Sequence, residues 1–172
     1  MQWGLVVAGI MLAFLVVFRL MENSMIYFPV KYPEGFWEPK EFGLPTEDCF
    51  FTAEDGVTLH GWWIGRPDAR RVLLWCHGNA GNLTHRLENL VRLLDEVNVN
   101  VLIFDYRGYG RSEGRPDEPG LYRDARAAYE FLVSTKNVEP EQIVLFGRSL
   151  GGAVAVDLAC RRPVAGLILE ST

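Results

Sequence analysis

The hydrophobic pattern opens on an uncharged run from Met1 to Phe18, apolar on every side of a helix and holding ten Leu, Ile, Phe or Val side chains. At ~1.5 Å of rise per residue such a helix is roughly 27 Å long, close to the hydrocarbon thickness of a bilayer. The run predicts a transmembrane anchor over residues 1–21, with Arg19 snorkelling to the interface. A cleaved signal peptide fits less well, since no basic side chain precedes the run and no small-x-small site follows it. Arg19, Lys31 and Lys40 follow the span and none precedes it, so the positive-inside rule leans towards a cytoplasmic catalytic domain. Residues 22–48 then interleave Pro29, Pro33, Pro39 and Pro45 with Tyr27, Phe28, Tyr32, Phe36, Trp37 and Phe42, a pattern that forbids a long helix and predicts an extended linker.

From residue 49 onward the pattern alternates between strand and helix periods. Phe50 to Ala53 and Thr58 to Trp63 flank Glu54-Asp55-Gly56, and an Asp-Gly pair between apolar-rich runs predicts a β-hairpin. Val72 to Cys76 is a short continuous apolar run, as a strand buried on both faces should be, and Val99 to Phe104 reads as the next buried strand. Between them, Leu83, Leu87, Leu90, Val91 and Leu94 recur at helical spacing. A second helix is marked by Leu121, Ala125, Ala128, Tyr129 and Leu132, followed by a strand at Ile143 to Phe146, a small-residue helix at Ala153 to Cys160 and a strand at Val164 to Leu169. Strands alternating with helices predict an α/β fold, a mostly parallel sheet with helices on both faces, over residues 49–172.

Composition removes several alternatives. The chain is 49% hydrophobic and 23% charged, ordinary for a packed domain, and its net charge of −5 comes without a Lys/Arg stripe, so nucleic acid is not an expected partner. Cys49, Cys76 and Cys160 are odd in number and far apart, which excludes a fully paired disulfide framework and a Cys-x-x-Cys knuckle, and they read as small core residues. His60, His77 and His85 lack ligand spacing with one another or with cysteine. Neither metal nor cofactor is expected.

The candidate chemistry lies in two glycine-bearing loops. Gly147-Arg148-Ser149-Leu150-Gly151 is G-x-S-x-G between a predicted strand and a predicted helix, the setting in which that motif makes an exposed nucleophile. Glycines two residues either side let strand and helix approach closely, and the helix N-terminus faces the developing oxyanion. His77-Gly78-Asn79-Ala80-Gly81-Asn82 follows the buried strand Val72 to Cys76, where a loop can add a second N–H to that oxyanion hole. The donors expected are the backbone N–H groups of Asn79 and Leu150. His77 precedes the serine in the chain and reads as a loop-bracing residue rather than the general base. The stretch Asp105 to Gly114 lacks the lysine and immediate helix of a phosphate loop, and its Arg107 or Arg111 is expected to brace nearby carboxylates.

Taken together, these residues resemble the membrane-anchored α/β-hydrolases of the Bem46-like, serine aminopeptidase-like branch, from Ile26-Tyr27-Phe28-Pro29 to Glu170-Ser171-Thr172. The matching stretches are Asp55-Gly56, Leu59-His60-Gly61-Trp62, His77 to Asn82, Asp105 to Gly114 and Gly147 to Ala153. The resemblance implies Ser149 as nucleophile, Asn79 and Leu150 as oxyanion donors, and hydrolysis of an ester, thioester or amide of a small-molecule or acylated substrate through an acyl-enzyme. The family places an acid and then a histidine after the serine, yet the 23 residues after Ser149 hold no histidine, and Asp157 lies in the same predicted helix. The expectation is therefore the front part of an α/β-hydrolase whose last strands, with acid and histidine, are missing. The competing expectation is a non-catalytic, membrane-tethered binding or scaffold protein that retains the elbow.

Overall fold

A computed structural model describes the backbone of residues 2–172, and their side chains apart from those of residues 2, 4–6, 8 and 20. In chain order the main elements are α1 (Gln2–Ile26), β1 (Thr46–Thr52), β2 (Thr58–Ile64), β3 (Val72–Cys76), α2 (Leu87–Glu96), β4 (Asn100–Phe104), α3 (Glu118–Ser134), β5 (Ile143–Arg148), α4 (Leu150–Arg161) and β6 (Gly166–Glu170). The six strands form one sheet in the order β1-β2-β4-β3-β5-β6. β1, β2 and β4 are joined antiparallel, whereas β4, β3, β5 and β6 run parallel. The α/β architecture read from the sequence is thus present.

Alternation along the central strands explains the two layers. Leu74 and Cys76 of β3, with Leu102 and Phe104 of β4, point to the face covered by Leu121, Ala125, Ala128 and Leu132 of α3 and by Val154, Ala155 and Leu158 of α4. Leu73 and Trp75, with Val101 and Ile103, point to the other face, covered by Leu87, Leu90 and Leu94 of α2. Period two in a strand and 3.6 in a helix make both burials possible at once. A central strand with both faces packed must be apolar throughout, and all five residues of β3 are buried. On β6, Leu167, Ile168 and Leu169 are exposed at the sheet's edge.

An ionic fork, buried at Arg107 and Asp124 and open to solvent at Asp55, ties the hairpin to α3. Arg107 binds Asp55 through two nitrogens at 2.8 and 3.1 Å and Asp124 through Nε and Nη2 at 3.0 and 2.8 Å. Burial pushes the Asp124 carboxyl up to about 6 against the pull of these bonds, while the Arg107 hydrogen bonds hold Asp55 below its usual range. Arg111 takes a different place, stacked over the Tyr32 and Trp37 rings with Nη1 3.6 Å from Asp48.

Three expectations need restating. The stretch 22–48, expected as an extended linker, carries elements of its own: α1 runs to Ile26, Pro39–Phe42 make a 3-10 turn, and β1 begins at Thr46. Trp37 packs at 5.7 Å from His60 and 6.0 Å from Trp62. Cys160 is exposed rather than a core residue, because it lies on the outward side of α4. Burial suits the other two cysteines, pushing the thiols of Cys49 and Cys76 up to about 11 and 12, so neither offers a thiolate near neutral pH. The expected anchor is helical as α1, and its described apolar side chains are exposed. The span itself gains no support, since among the described residues no helix is long and apolar enough to cross a membrane. Part of the anchor stretch, residue 1 and the side chains named above, lies outside the described residues.

Candidate active site

Because β3, β4, β5 and β6 are parallel, the loops after them emerge at one edge of the sheet, where open α/β sheets place their sites. Ser149 stands at that edge between the end of β5 and the first residue of α4. Its backbone has φ 51° and ψ −119°, a region that a residue with a Cβ occupies only under strain, and its side chain is exposed. The turn is held by the Ser149 N–H, which donates to the Glu170 carbonyl of β6 at 2.9 Å, and by the Gly152 N–H, which donates to the Ser149 carbonyl at 2.8 Å. Glycines make the approach possible: a Cβ on Gly147 would lie 2.5 Å from the Gly151 carbonyl oxygen, and one on Gly151 only 1.9 Å from the Cys76 carbonyl oxygen.

The loop after β3 meets this elbow directly. A Cβ built on Gly78 would lie 3.7 Å from the Ser149 Cβ and 3.5 Å from the Arg148 carbonyl oxygen, so loop and serine are in van der Waals reach. Asn79 follows Gly78 on the half-buried rim. Leu150 is the first residue of α4, and the first N–H groups of a helix have no intrahelical acceptor. The structure therefore brings Ser149, Leu150 and the His77–Asn82 loop together at one edge.

His77 lies beneath the loop and is fully buried. Its Nδ1 is 2.8 Å from the Gly78 carbonyl and its Nε2 3.5 Å from Asp105 Oδ1, with the Tyr106 and Tyr109 rings against its own. Asp105 Oδ1 accepts from the Leu83 N–H at 2.8 Å, and the Tyr106 hydroxyl donates to the His77 carbonyl at 3.0 Å. His77 Nε2 itself has no hydrogen-bond partner among the described residues. His60 is buried on β2 with Nε2 2.6 Å from Asp48, burial holding its imidazole below the usual value, and His85 Nδ1 accepts from the Asn82 N–H at 3.2 Å. Among the described residues, no histidine hydrogen-bonds the Ser149 hydroxyl.

Sequence reasoning missed the partners of the Asn79 side chain. Its Oδ1 accepts from the Phe28 N–H at 3.1 Å and from the Tyr109 hydroxyl at 2.8 Å, and its Nδ2 donates to the Ile26 carbonyl. These partners come from the proline-rich stretch and the loop after β4, and no local spacing announces them.

Comparison with known proteins agrees with this geometry. Residues 67–172 match the family described as serine aminopeptidase, S33. The chain is similar to the alpha/beta hydrolase domain-containing protein WAV2 of Arabidopsis thaliana, 40% identical over 98% of this chain and 56% of that protein. It is also similar to protein bem46 of Schizosaccharomyces pombe, 38% identical over 88% of this chain and 53% of that protein. The chain thus spans about half the length of these curated relatives. Among solved structures, the esterase Pf2001 of Pyrococcus furiosus superposes with a TM-score of 0.68 at 27% identity, covering 81% of this chain and 56% of that one. An α/β-hydrolase from Vibrio vulnificus gives 0.63 at 29% identity, covering 74% and 45%.

Proposed function

The chain belongs to the serine aminopeptidase, S33 family of α/β-hydrolases, and from that premise we propose that the whole protein is a serine hydrolase acting through an acyl-enzyme on Ser149. The observation that carries the proposal is the strained Ser149 backbone at the β5–α4 junction, with Gly78 of the neighbouring loop against its Cβ. In the proposed reaction Ser149 Oγ attacks the carbonyl carbon of an ester, thioester or amide, and its proton passes to a histidine. The backbone N–H groups of Asn79 and Leu150 hold the oxyanion, where one donor is typically worth about 100- to 1,000-fold in rate. Collapse expels the leaving group with that proton and leaves an acyl-serine, which water cleaves by the same route. The histidine and its orienting carboxylate are proposed to come from sequence C-terminal to Thr172, in keeping with relatives nearly twice as long.

The test is to mix the full-length protein with a p-nitrophenyl ester, quench in acid and map peptides by mass. The acyl increment is expected on the peptide carrying Ser149, together with a burst of nitrophenol. Ester turnover with no adduct on that peptide would overturn the proposal.

We further propose that residues 1–21 anchor the protein to a bilayer with the catalytic domain in the cytoplasm. The uncharged run and the trailing Arg19, Lys31 and Lys40 support this reading. Removal of residues 1–20 is expected to move the protein from the membrane pellet to the supernatant, and pelleting that survives both the deletion and alkaline extraction would sink it.

A further inference from the structure

Residues 26–34, between α1 and the body of the domain, are laid as a strap between two loops of the site. On one side the Val30 N–H donates to the Gly81 carbonyl at 3.1 Å, and the Gly81 N–H donates to the Phe28 carbonyl at 3.2 Å. On the other, the Gly110 N–H donates to the Val30 carbonyl and the Tyr32 N–H to the Gly110 carbonyl, both at 2.9 Å. Short β-bridges, Pro29 with Gly81 and Lys31 with Gly110, mark both seams.

Two asparagines of the loop after β3 fasten it further. Buried Asn82 donates through Nδ2 to the Val30 carbonyl at 3.2 Å and the Glu34 carbonyl at 2.9 Å, while its Oδ1 accepts from the Thr84 N–H at 3.0 Å. Asn79 binds the Phe28 N–H and the Tyr109 hydroxyl through Oδ1, and through Nδ2 it donates to the carbonyl of Ile26, the last residue of α1. The final carbonyls of a helix have no intrahelical donor, so Asn79 supplies one of them. The residue whose main-chain N–H is assigned to the oxyanion is thus the residue whose side chain caps the N-terminal helix. These side-chain bonds hold the Cα and Cβ of Asn79, and with them the segment of loop that carries its main-chain N–H.

We propose that the strap of residues 26–34 is a positioning device for the oxyanion loop, so that the placement of α1 sets the aim of the Asn79 N–H and hence the turnover at Ser149. The proposal rests on the serine-hydrolase reading above. In it, Asn79 and Asn82 act as positioning residues through their side chains. A strap that merely covered the sheet would stabilise the domain without altering the reacting geometry. The two roles differ in what they move: an ill-aimed oxyanion donor lowers kcat while leaving ground-state binding, and so KM, nearly alone.

The experiment compares wild-type full-length protein with Asn79→Ala and Asn82→Asp. Asn82→Asp keeps the acceptor for Thr84 but turns both donations to the strap into repulsion. Asn79→Ala removes all three side-chain bonds, to Ile26, Phe28 and Tyr109. Outright loss of one oxyanion donor costs about 100- to 1,000-fold, so loosening it is expected to lower kcat about 10-fold in either variant, with KM within about 2-fold. Amide hydrogen exchange over residues 78–82 should quicken in parallel. Faster exchange with kcat unchanged would reduce the strap to a cover, and unchanged exchange in both variants would show that it does not hold the loop. Should one variant fail to fold, the other carries both readouts. If the wild-type protein itself shows no Ser149-dependent turnover, the hydrolase reading fails. Exchange alone then decides the strap: quickening retains it as what fixes the loop, and unchanged protection overturns it.

Discussion

Replacing Ser149 by alanine is expected to abolish labelling of the full-length protein by a fluorophosphonate probe and to lower its acyl-transfer turnover by about a million-fold. The size of the effect follows from the unity of a triad: without the hydroxyl there is nothing for the histidine to deprotonate and no atom to carry the acyl group. A rate of about 10³- to 10⁴-fold over water should survive, since the oxyanion donors and the binding surface remain. Folding should be spared. Alanine keeps the Cβ that already tolerates φ 51°, and the main-chain bonds that hold the turn, to the Glu170 carbonyl and from the Gly152 N–H, do not involve the side chain. An exposed substitution of this kind shifts stability by no more than about 0.5 kcal/mol. Loss of labelling at an unchanged melting temperature would separate a missing nucleophile from a damaged fold. Labelling of the alanine variant at the wild-type rate would place the nucleophile elsewhere.

The elbow could be read from the sequence because its constraint is local and carried by residue type. A serine flanked by glycines at two positions either side, between an apolar run and a helix, leaves few other uses for that spacing. The buried strands were equally legible: Val72 to Cys76 and Val101 to Phe104 are continuous apolar runs because both faces are covered. Edges were read less well. β1 begins at Thr46 rather than Phe50, since Thr46, Glu47 and Asp48 lie largely exposed on an edge strand and take their partners, Ile64, Trp63 and Trp62, through main-chain pairing. Likewise α4 begins at Leu150 and not Ala153. Glycine disfavours a helix interior by about 1 kcal/mol, but close packing against β3 outweighs propensity at Gly151.

The strap was illegible for a different reason. Its bonds run from backbone to backbone, or from Asn79 and Asn82 to groups 48, 51, 52 and 53 positions away, and a prolyl-aromatic stretch shows no period that announces such partners. Arg107 fell between these cases. Its type suggested a carboxylate clamp, while the choice of Asp55 and Asp124 depended on how the hairpin and α3 pack. Chemistry borne by residue type is thus visible in the chain, and chemistry borne by long-range main-chain geometry is not.

Gly151→Ala is expected to be about as damaging to activity as losing one oxyanion donor, although it adds only a methyl. The new Cβ would lie 1.9 Å from the Cys76 carbonyl oxygen and 2.6 Å from that of His77. Both obstacles are main chain at the end of β3, with no rotamer by which to move aside, so α4 and the oxyanion loop must separate. Overpacking of this sort costs typically 1–3 kcal/mol, and a rigid obstacle puts it at the upper end. For a domain of this size that is a fall of roughly 6–12 °C in melting temperature. Activity should suffer more than stability does. The separation moves the Leu150 N–H away from the Asn79 N–H, and a shift of about 1 Å at a reacting geometry can cost about 100-fold in rate. Gly166→Ala is the control, because a Cβ there meets nothing within 4 Å. Thermal denaturation and ester turnover should therefore leave Gly166→Ala near wild type and place Gly151→Ala low on both scales. A Gly151→Ala protein with wild-type melting temperature and turnover would mean that the elbow and the loop after β3 are not packed as closely as described, and the oxyanion assignment to Asn79 and Leu150 would fall with it.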